Sequence, residues 1–65
     1  MSNTLREIEA DFNNVSIDNQ IYVSLHLTEE MRVSEEATLV DPDEDLSLRA
    51  TLTRIDERYA YFALE

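Results

Sequence analysis

The chain has 65 residues, enough for one small domain, and its 15 acidic residues against five arginines give a formal net charge of −10. It contains no cysteine, glycine or lysine, which excludes disulfides, thiolate zinc sites and glycine-rich phosphate loops. No apolar run approaches the roughly 20 residues that span a bilayer, and the N-terminus lacks the pattern of a signal peptide. We therefore expect a soluble, cytoplasmic protein without a membrane segment.

The charge is distributed unevenly. Residues 1–28 carry a net charge of −3, residues 29–45 carry −7, and residues 46–65 are balanced. A negative field repels phosphate backbones and anionic lipid and attracts basic surfaces. The charge therefore favours a basic protein partner over nucleic acid, and adaptation to a salty cytoplasm is the alternative explanation.

The first element allows two interpretations. Every second residue from Ile8 to Phe12 is apolar and the residues between are acidic, which predicts a strand at about residues 6 to 13. The alternative is a helix over the same segment, with Thr4 and Glu7 as a capping box. We favour the strand, because a turn-forming Asp-Asn pair follows and the later elements are all β.

Regular alternation marks two further strands. Apolar residues from Ile21 to Leu27 alternate with polar ones, as do those from Leu46 to Leu52, which is the period of a half-buried strand. We expect these strands at about residues 20 to 27 and 46 to 55.

Between these strands the chain is acidic. Residues 28 to 36 are too polar for a strand interior and predict a loop, and residues 37 to 41 predict a short strand that enters the turn DPDED. Its alternate aspartates match the first ligands of a calcium loop, but Leu46 and Leu52 stand where that loop needs glycine and glutamate. The segment therefore predicts a solvated turn, and no metal or cofactor is expected.

The C-terminal run of aromatic and apolar residues predicts a last strand at residues 59 to 64. A turn at residues 56 to 58 makes a hairpin that pairs Leu52 with Phe62 and Ala50 with Leu64, which collects apolar side chains on one face. Without glycine, we expect one residue of this turn to adopt a left-handed conformation.

The five predicted strands indicate a single all-β domain over residues 1–65, a meander closed into a small antiparallel barrel. The stretches from Val33 to Asp41 and from Ala50 to Ile55 resemble the later strands of SH3-like barrels, where a short strand ends in an acid and a long strand runs into a hairpin. Glu35-Glu36 and Glu57 stand where that pattern commonly has glycine. The resemblance covers about half the chain and implies a fold without an activity.

No catalytic constellation is visible. His26 is the only histidine, so it cannot complete a zinc set. A triad needs a scaffold that holds nucleophile, base and oxyanion site together, which a chain this short rarely supplies beside a substrate pocket. We expect a non-enzymatic protein.

Two surfaces are candidates for binding. The first mixes aromatic and arginine side chains, the types enriched at interfaces, and consists of Arg49, Thr51, Thr53, Tyr59, Tyr61 and Tyr22. The second, the acidic pole, consists of Glu29, Glu30, Glu35, Glu36, Asp43, Glu44 and Asp45. Each surface also has an explanation that involves no binding. In that case the tyrosines belong to the barrel core with their hydroxyls at its rim, and the acidic residues serve solubility.

The sequence thus predicts an interaction module that contacts a basic protein, as an accessory or adaptor subunit, or that forms a homo-oligomer. One alternative is a nucleic-acid mimic that places the acidic pole in the basic site of a nucleic-acid-handling protein. A weaker alternative is binding of single-stranded nucleic acid by stacking on the tyrosines, against which the negative charge argues.

Overall fold

The computed structural model describes residues 5–65, so Thr4 of the alternative capping box lies outside the described residues. The described chain is all-β apart from one 3₁₀ helix, and its elements are β1 (Glu7–Glu9), β2 (Ile21–Ser24), the 3₁₀ helix (Leu25–Thr28), β3 (Glu36–Asp41), β4 (Leu46–Ile55) and β5 (Tyr59–Leu64). None of the helical structure in residues 5–65 has the length and apolar character needed to cross a bilayer.

The five strands form one curled, half-barrel sheet in the order β1-β3-β4-β5-β2. β3, β4 and β5 make the expected meander, but β1 lies parallel to β3, with Ile8 opposite Leu39. The prediction of a purely antiparallel sheet is therefore wrong at β1. Because β1 and β3 are parallel neighbours, a long connection must join them. The chain between them crosses to the other edge of the sheet, where β2 pairs with β5.

The predicted Asp18-Asn19 turn lies in the connection between β1 and β2. This turn is present, with Ser16 and Gln20 joined by a backbone hydrogen bond of 2.8 Å, and Asn19 has a φ of 61°, which asparagine tolerates. The two chain segments on either side of this turn pair only briefly, through an isolated β-bridge between Val15 and Ile21. This bridge, with a hydrogen bond of 3.1 Å from the Tyr22 N–H to the Asn14 carbonyl, holds the end of the connection against the start of β2.

The strands that were predicted at residues 6 to 13 and 20 to 27 are shorter than expected. β1 ends at Glu9 because Asp11 closes a turn, its carboxylate accepting from the Asn13 N–H at 2.9 Å. β2 ends at Ser24 because the chain turns into the 3₁₀ helix, where the Thr28 hydroxyl donates to the Leu25 carbonyl at 3.0 Å. Side chains that hydrogen-bond to nearby backbone compete with the ladder in this way.

The β4–β5 hairpin confirms the predicted pairs and corrects the turn. Leu52 lies opposite Phe62 and Ala50 opposite Leu64, but a bulge between Leu52 and Arg54 shifts the register, so that Ile55 lies opposite Ala60. No residue of the turn at 56 to 58 has a positive φ; the positive values in the described chain are at Asn19, Glu30, Ser34 and Asp45. The expectation of a left-handed residue in this turn is therefore wrong, because the bulge changes the turn geometry.

The core lies on the concave face of the sheet. Alternate residues of the strands supply it, and the buried apolar residues are Ile8, Ala10, Ile21, Val23, Ala37, Leu39, Ala50, Leu52, Ala60 and Phe62. Phe12, Leu25, Leu27 and Met31 pack against this cluster. The opposite, convex face is left to polar and aromatic side chains.

Asp41 fixes the turn between β3 and β4. Its side chain is buried and accepts hydrogen bonds from the Asp43 N–H at 3.1 Å and, across the structure, from the Phe12 N–H at 3.0 Å. The remainder of the turn, Pro42 to Asp45, is exposed as predicted. The interpretation of a fully solvated turn is thus wrong for Asp41, whose carboxylate ties the turn to the chain that follows β1.

Candidate functional site

Three tyrosines meet on the convex face. Tyr22 of β2 lies directly opposite Tyr61 of β5, with ring centroids 6.1 Å apart. Tyr59 projects to the same face two residues earlier in β5, and its ring meets Tyr22 edge to face at 4.9 Å between centroids. All three are half-buried, so the structure places them neither in the core nor fully in water. We call these rings, together with Arg54 described next, the tyrosine face.

Arg54 completes this face, although the sequence did not single it out. Its guanidinium carbon lies 4.0 Å from the centroid of the Tyr61 ring, within the range of a cation–π contact. A regular strand would direct Arg54 to the core side with Leu52, and the bulge before Arg54 reverses that direction. The signal was present in the sequence, since the apolar positions shift phase between Leu52 and Ile55.

Asp56 holds the edge of the tyrosine face. Its carboxylate accepts from the Tyr61 hydroxyl at 2.7 Å and from the N–H groups of Arg58 and Tyr59 at 2.8 Å each. These donors, with the Tyr61 hydroxyl first, lower the pKa of Asp56 to about 2. The same hydrogen bond raises the pKa of the Tyr61 hydroxyl. The Tyr61 ring is thereby fixed in orientation beside a permanent anion.

An open depression of about 410 Å³ lies at this end of the face, lined by residues 56 to 59 and by Tyr61. Asp56 and Glu57 contribute negative charge there, and Arg58 on the rim and the neighbouring Arg54 contribute equal positive charge. The surroundings of the tyrosines are therefore close to neutral, in a molecule whose net charge is −10.

The other predicted members of this surface have different surroundings. The Thr53 hydroxyl lies 2.6 Å from Gln20 Oε1 and 3.2 Å from the Tyr61 carbonyl, so it joins β4 to the segment before β2. Thr51 lies opposite Ala63 on β5 and is half-buried. Both threonines border the tyrosine face without contributing an aromatic or charged group.

Arg49 shares the convex face but lies away from the tyrosines. Its guanidinium contacts Glu36 at 2.9 Å and Glu65 at 3.6 Å. Glu65 is four residues beyond Tyr61, which corresponds to about 13 Å along a strand. A hydrogen bond between the two carboxyl groups, and then Arg49, lower the pKa of Glu36, and the same bond raises the pKa of Glu65. Arg49 therefore forms a cluster with two carboxylates, at the end of the β4–β5 pair that lies away from the tyrosines.

The acidic pole is contiguous in sequence but divided in the structure. Glu35 and Glu36 precede or begin β3, whereas the other acids Asp43, Glu44 and Asp45 follow its end. The six residues of β3 from Glu36 to Asp41 span about 17 Å between their ends. Glu29 and Glu30 lie in the loop after the 3₁₀ helix, where the Glu29 carbonyl accepts from Arg6 Nη1 at 2.6 Å. The acidic pole is thus divided along β3 and does not form one continuous surface.

A second depression, of about 360 Å³, has acidic residues in its lining, among them Glu9, Asp11, Asp41 and Asp43. The Asp41 carboxylate is already engaged with backbone N–H groups. Within residues 5–65 no three side chains of His, Asp or Glu converge in an arrangement that would hold a metal ion. His26 is exposed on the 3₁₀ helix.

Comparisons with protein-family models, with curated proteins and with solved structures found no match to this chain.

Proposed function

We propose that the protein is a non-catalytic interaction module and that it contacts a protein partner through the tyrosine face. One observation carries the proposal: Tyr22, Tyr59 and Tyr61 are gathered with Arg54 on the convex surface, half-exposed and held by one another. Tyrosine and arginine are the side chains most enriched among residues that dominate binding energy.

The preorganisation of this face supports the proposal. Asp56 fixes the Tyr61 hydroxyl, Arg54 covers one side of the Tyr61 ring, and neighbouring rings restrict Tyr22 and Tyr59. Side chains ordered before binding lose less conformational entropy in a complex, which leaves more of the contact energy as affinity.

The charge distribution supports a division of roles. The near-neutral tyrosine face avoids the desolvation cost of burying unpaired carboxylates, while the acidic surroundings attract a partner whose rim is basic. We also propose a cytoplasmic location, and an SH3-like fold for the half-barrel, which is a resemblance of fold that implies no activity.

The mimic alternative receives less support, because a continuous row of carboxylates would be needed to imitate a phosphate backbone and the acidic pole is divided by β3. Binding of single-stranded nucleic acid gains one favourable feature, since Arg54 and Arg58 adjoin rings on which bases can stack. The net charge of −10 still opposes it.

The test is site-specific photo-crosslinking in the native host. A photoreactive phenylalanine analogue at Tyr59 should crosslink one defined protein, and the same analogue at Glu44, in the exposed turn across the sheet, should not. The purified partner should then bind the Tyr59→Ala variant at least about tenfold more weakly and the Glu44→Ala variant nearly normally.

Equal binding by both variants would overturn the proposal, as would the absence of any protein crosslinked through Tyr59. Recovery of nucleic acid alone at Tyr59 would replace it with the stacking alternative. The circular dichroism spectrum of each variant should match that of the wild type, which shows that a loss of binding does not come from unfolding.

A further inference from the structure

Ile17 is the most exposed of the large apolar side chains in the described chain. It lies in the turn that precedes β2 and is fully exposed, whereas the other large apolar side chains at the surface are 39% to 52% exposed. Those residues keep about half of their surface covered by the protein, and Ile17 keeps none. A single apolar side chain on a surface is common, so the surroundings of Ile17 must show whether it has a role.

The turn holds the backbone of Ile17 in one position. The Ser16 N–H donates to the Gln20 carbonyl at 2.8 Å, and the Asn19 N–H donates to the Ser16 carbonyl at 3.0 Å. The Ser16 hydroxyl accepts from the Gln20 N–H at 3.1 Å and donates to the Asp18 carboxylate. Asn19, with a φ of 61°, has the left-handed conformation with which three-residue loops commonly close. The isoleucine is therefore presented to solvent by a turn with little conformational freedom.

The chemistry of the turn accounts for the neighbours of Ile17 and not for Ile17 itself. Serine, aspartate and asparagine are common in turns because their side chains bond locally or tolerate a positive φ. Ser16 and Asn19 act in this way here, and Asp18 accepts from the Ser16 hydroxyl. Ile17 forms no contact on which the turn depends, and its exposure forgoes the stabilisation that burial of an isoleucine gives.

The turn is joined to the tyrosine face by hydrogen bonds. Gln20, the last residue of the turn, places its Oε1 atom 2.6 Å from the Thr53 hydroxyl, and this hydroxyl lies 3.2 Å from the Tyr61 carbonyl. Ile17 precedes Gln20 by three residues, which span at most about 11 Å. The exposed isoleucine therefore stands beside the tyrosine face and is held in place relative to it.

An ionised carboxylate lies next to Ile17 in the same turn. The Ser16 hydroxyl, and to a lesser extent the charge of Arg54, lower the pKa of Asp18. Arg54 belongs to the tyrosine face, so the turn and this face are within electrostatic range of each other. A partner that meets Ile17 thus also meets a negative charge.

We propose that Ile17 enters an apolar pocket on the protein that binds the tyrosine face, and that a basic group of this protein lies beside Asp18. This inference rests on the proposed function. A chain with a net charge of −10 attracts a basic partner, which has lysine or arginine side chains to place against Asp18. Because the turn is already ordered, burial of Ile17 costs little conformational entropy and adds an aliphatic contact to the aromatic ones.

Photo-crosslinking from the turn tests this inference. An aliphatic diazirine amino acid at Ile17 in the native host should crosslink the same protein as the photoreactive analogue at Tyr59, and the diazirine at Val33, in the loop before β3, should not. The purified crosslinked protein should bind Ile17→Ala about tenfold more weakly than the wild type. Val33→Ala, a similar truncation at another exposed site, should bind normally.

Folding is controlled in the same experiment. Ile17 is fully exposed, so Ile17→Ala should leave the urea midpoint unchanged, and a loss of binding then comes from the lost contact.

The possible outcomes separate this inference from the proposed function. If Tyr59 crosslinks a protein that Ile17 does not reach, or if Ile17→Ala binds that protein as the wild type does, the inference fails and the proposed function stands. A crosslink from Ile17 to lipid or to a second copy of this chain alone has the same meaning. If Tyr59 crosslinks no protein, both the proposed function and this inference fail.

Discussion

Asp56 accepts three hydrogen bonds at the point where β4 turns into β5. Two of the donors are backbone N–H groups, which close the turn without glycine, and the third is the Tyr61 hydroxyl of the tyrosine face. One exposed carboxylate therefore shapes the hairpin and orients a ring of the proposed contact surface. All three donors bind the ionised form, which is why the pKa of Asp56 falls.

We expect Asp56→Ala to lower the stability of the protein at neutral pH and to lose that effect in acid. The pKa of Asp56 is about 2 in the folded protein against 3.8 as the ordinary value. A lowered folded pKa stabilises the protein fully above pH 3.8, and the contribution disappears as the pH falls towards about 2. Urea denaturation from pH 7 to pH 2 measures it.

Glu57→Ala is the matched control, because it removes the adjacent exposed carboxylate. Its stability should follow that of the wild type across the titration. A constant difference between wild type and Asp56→Ala down to pH 2 would show that the charge of Asp56 is not what stabilises the turn.

β1 is the shortest strand of the sheet. It is three residues long and pairs with β3 alone, and its parallel register with β3 has no hairpin to fix it. Asp41 supplies the missing constraint, because its buried carboxylate joins the β3–β4 turn to Phe12 after β1. The turn that looked like a simple reversal thus also anchors the first strand.

We expect Asp41→Ala to destabilise the protein by about 1–3 kcal/mol, the cost of leaving buried N–H groups without an acceptor. Asp43→Ala, in the same turn but exposed, should change the free energy of unfolding by less than about 0.5 kcal/mol. Urea denaturation at pH 7 compares them, and the Phe12 amide should lose protection from exchange in Asp41→Ala only. Equal stability of the two variants would contradict this role of Asp41.

Repulsion among the charges of the whole molecule opposes the cohesion of its small core. A core of ten buried apolar side chains, four of them alanines, must hold together a chain of net charge −10. The two ion pairs in the described chain both involve Arg49, so attraction between neighbours offsets little of the repulsion. Compact proteins with a large net charge are destabilised by this repulsion, and salt reduces it.

We expect the free energy of unfolding to rise with sodium chloride, since the Debye length falls from about 10 Å at 0.1 M to about 3 Å at 1 M. Urea midpoints at micromolar protein concentration give the measurement. The double variant Asp43→Asn with Glu44→Gln should be more stable at low salt and respond less to salt. A midpoint that is insensitive to salt would refute the view that repulsion limits stability.

Local patterns in the sequence determined much of the fold. Alternation located β4 and the run of aromatic and apolar residues located β5, both at their observed bounds, and β3 was placed within one residue. Burial of apolar side chains gave the pairs Leu52–Phe62 and Ala50–Leu64. These features depend on neighbours in the chain, and the period of two is visible in a few residues. The tyrosines were likewise placed on the face opposite the core by counting along the strands.

Only the tertiary structure decided what depends on contacts between distant segments. The parallel place of β1 and the burial of Asp41 against Phe12 each involve partners whose separation in sequence carries no local signal. The division of the acidic pole has the same origin, because a strand of six residues separates charges that a tally along the chain counts as adjacent. Composition fixed how much charge the protein carries, and the sheet fixed where that charge lies on the surface.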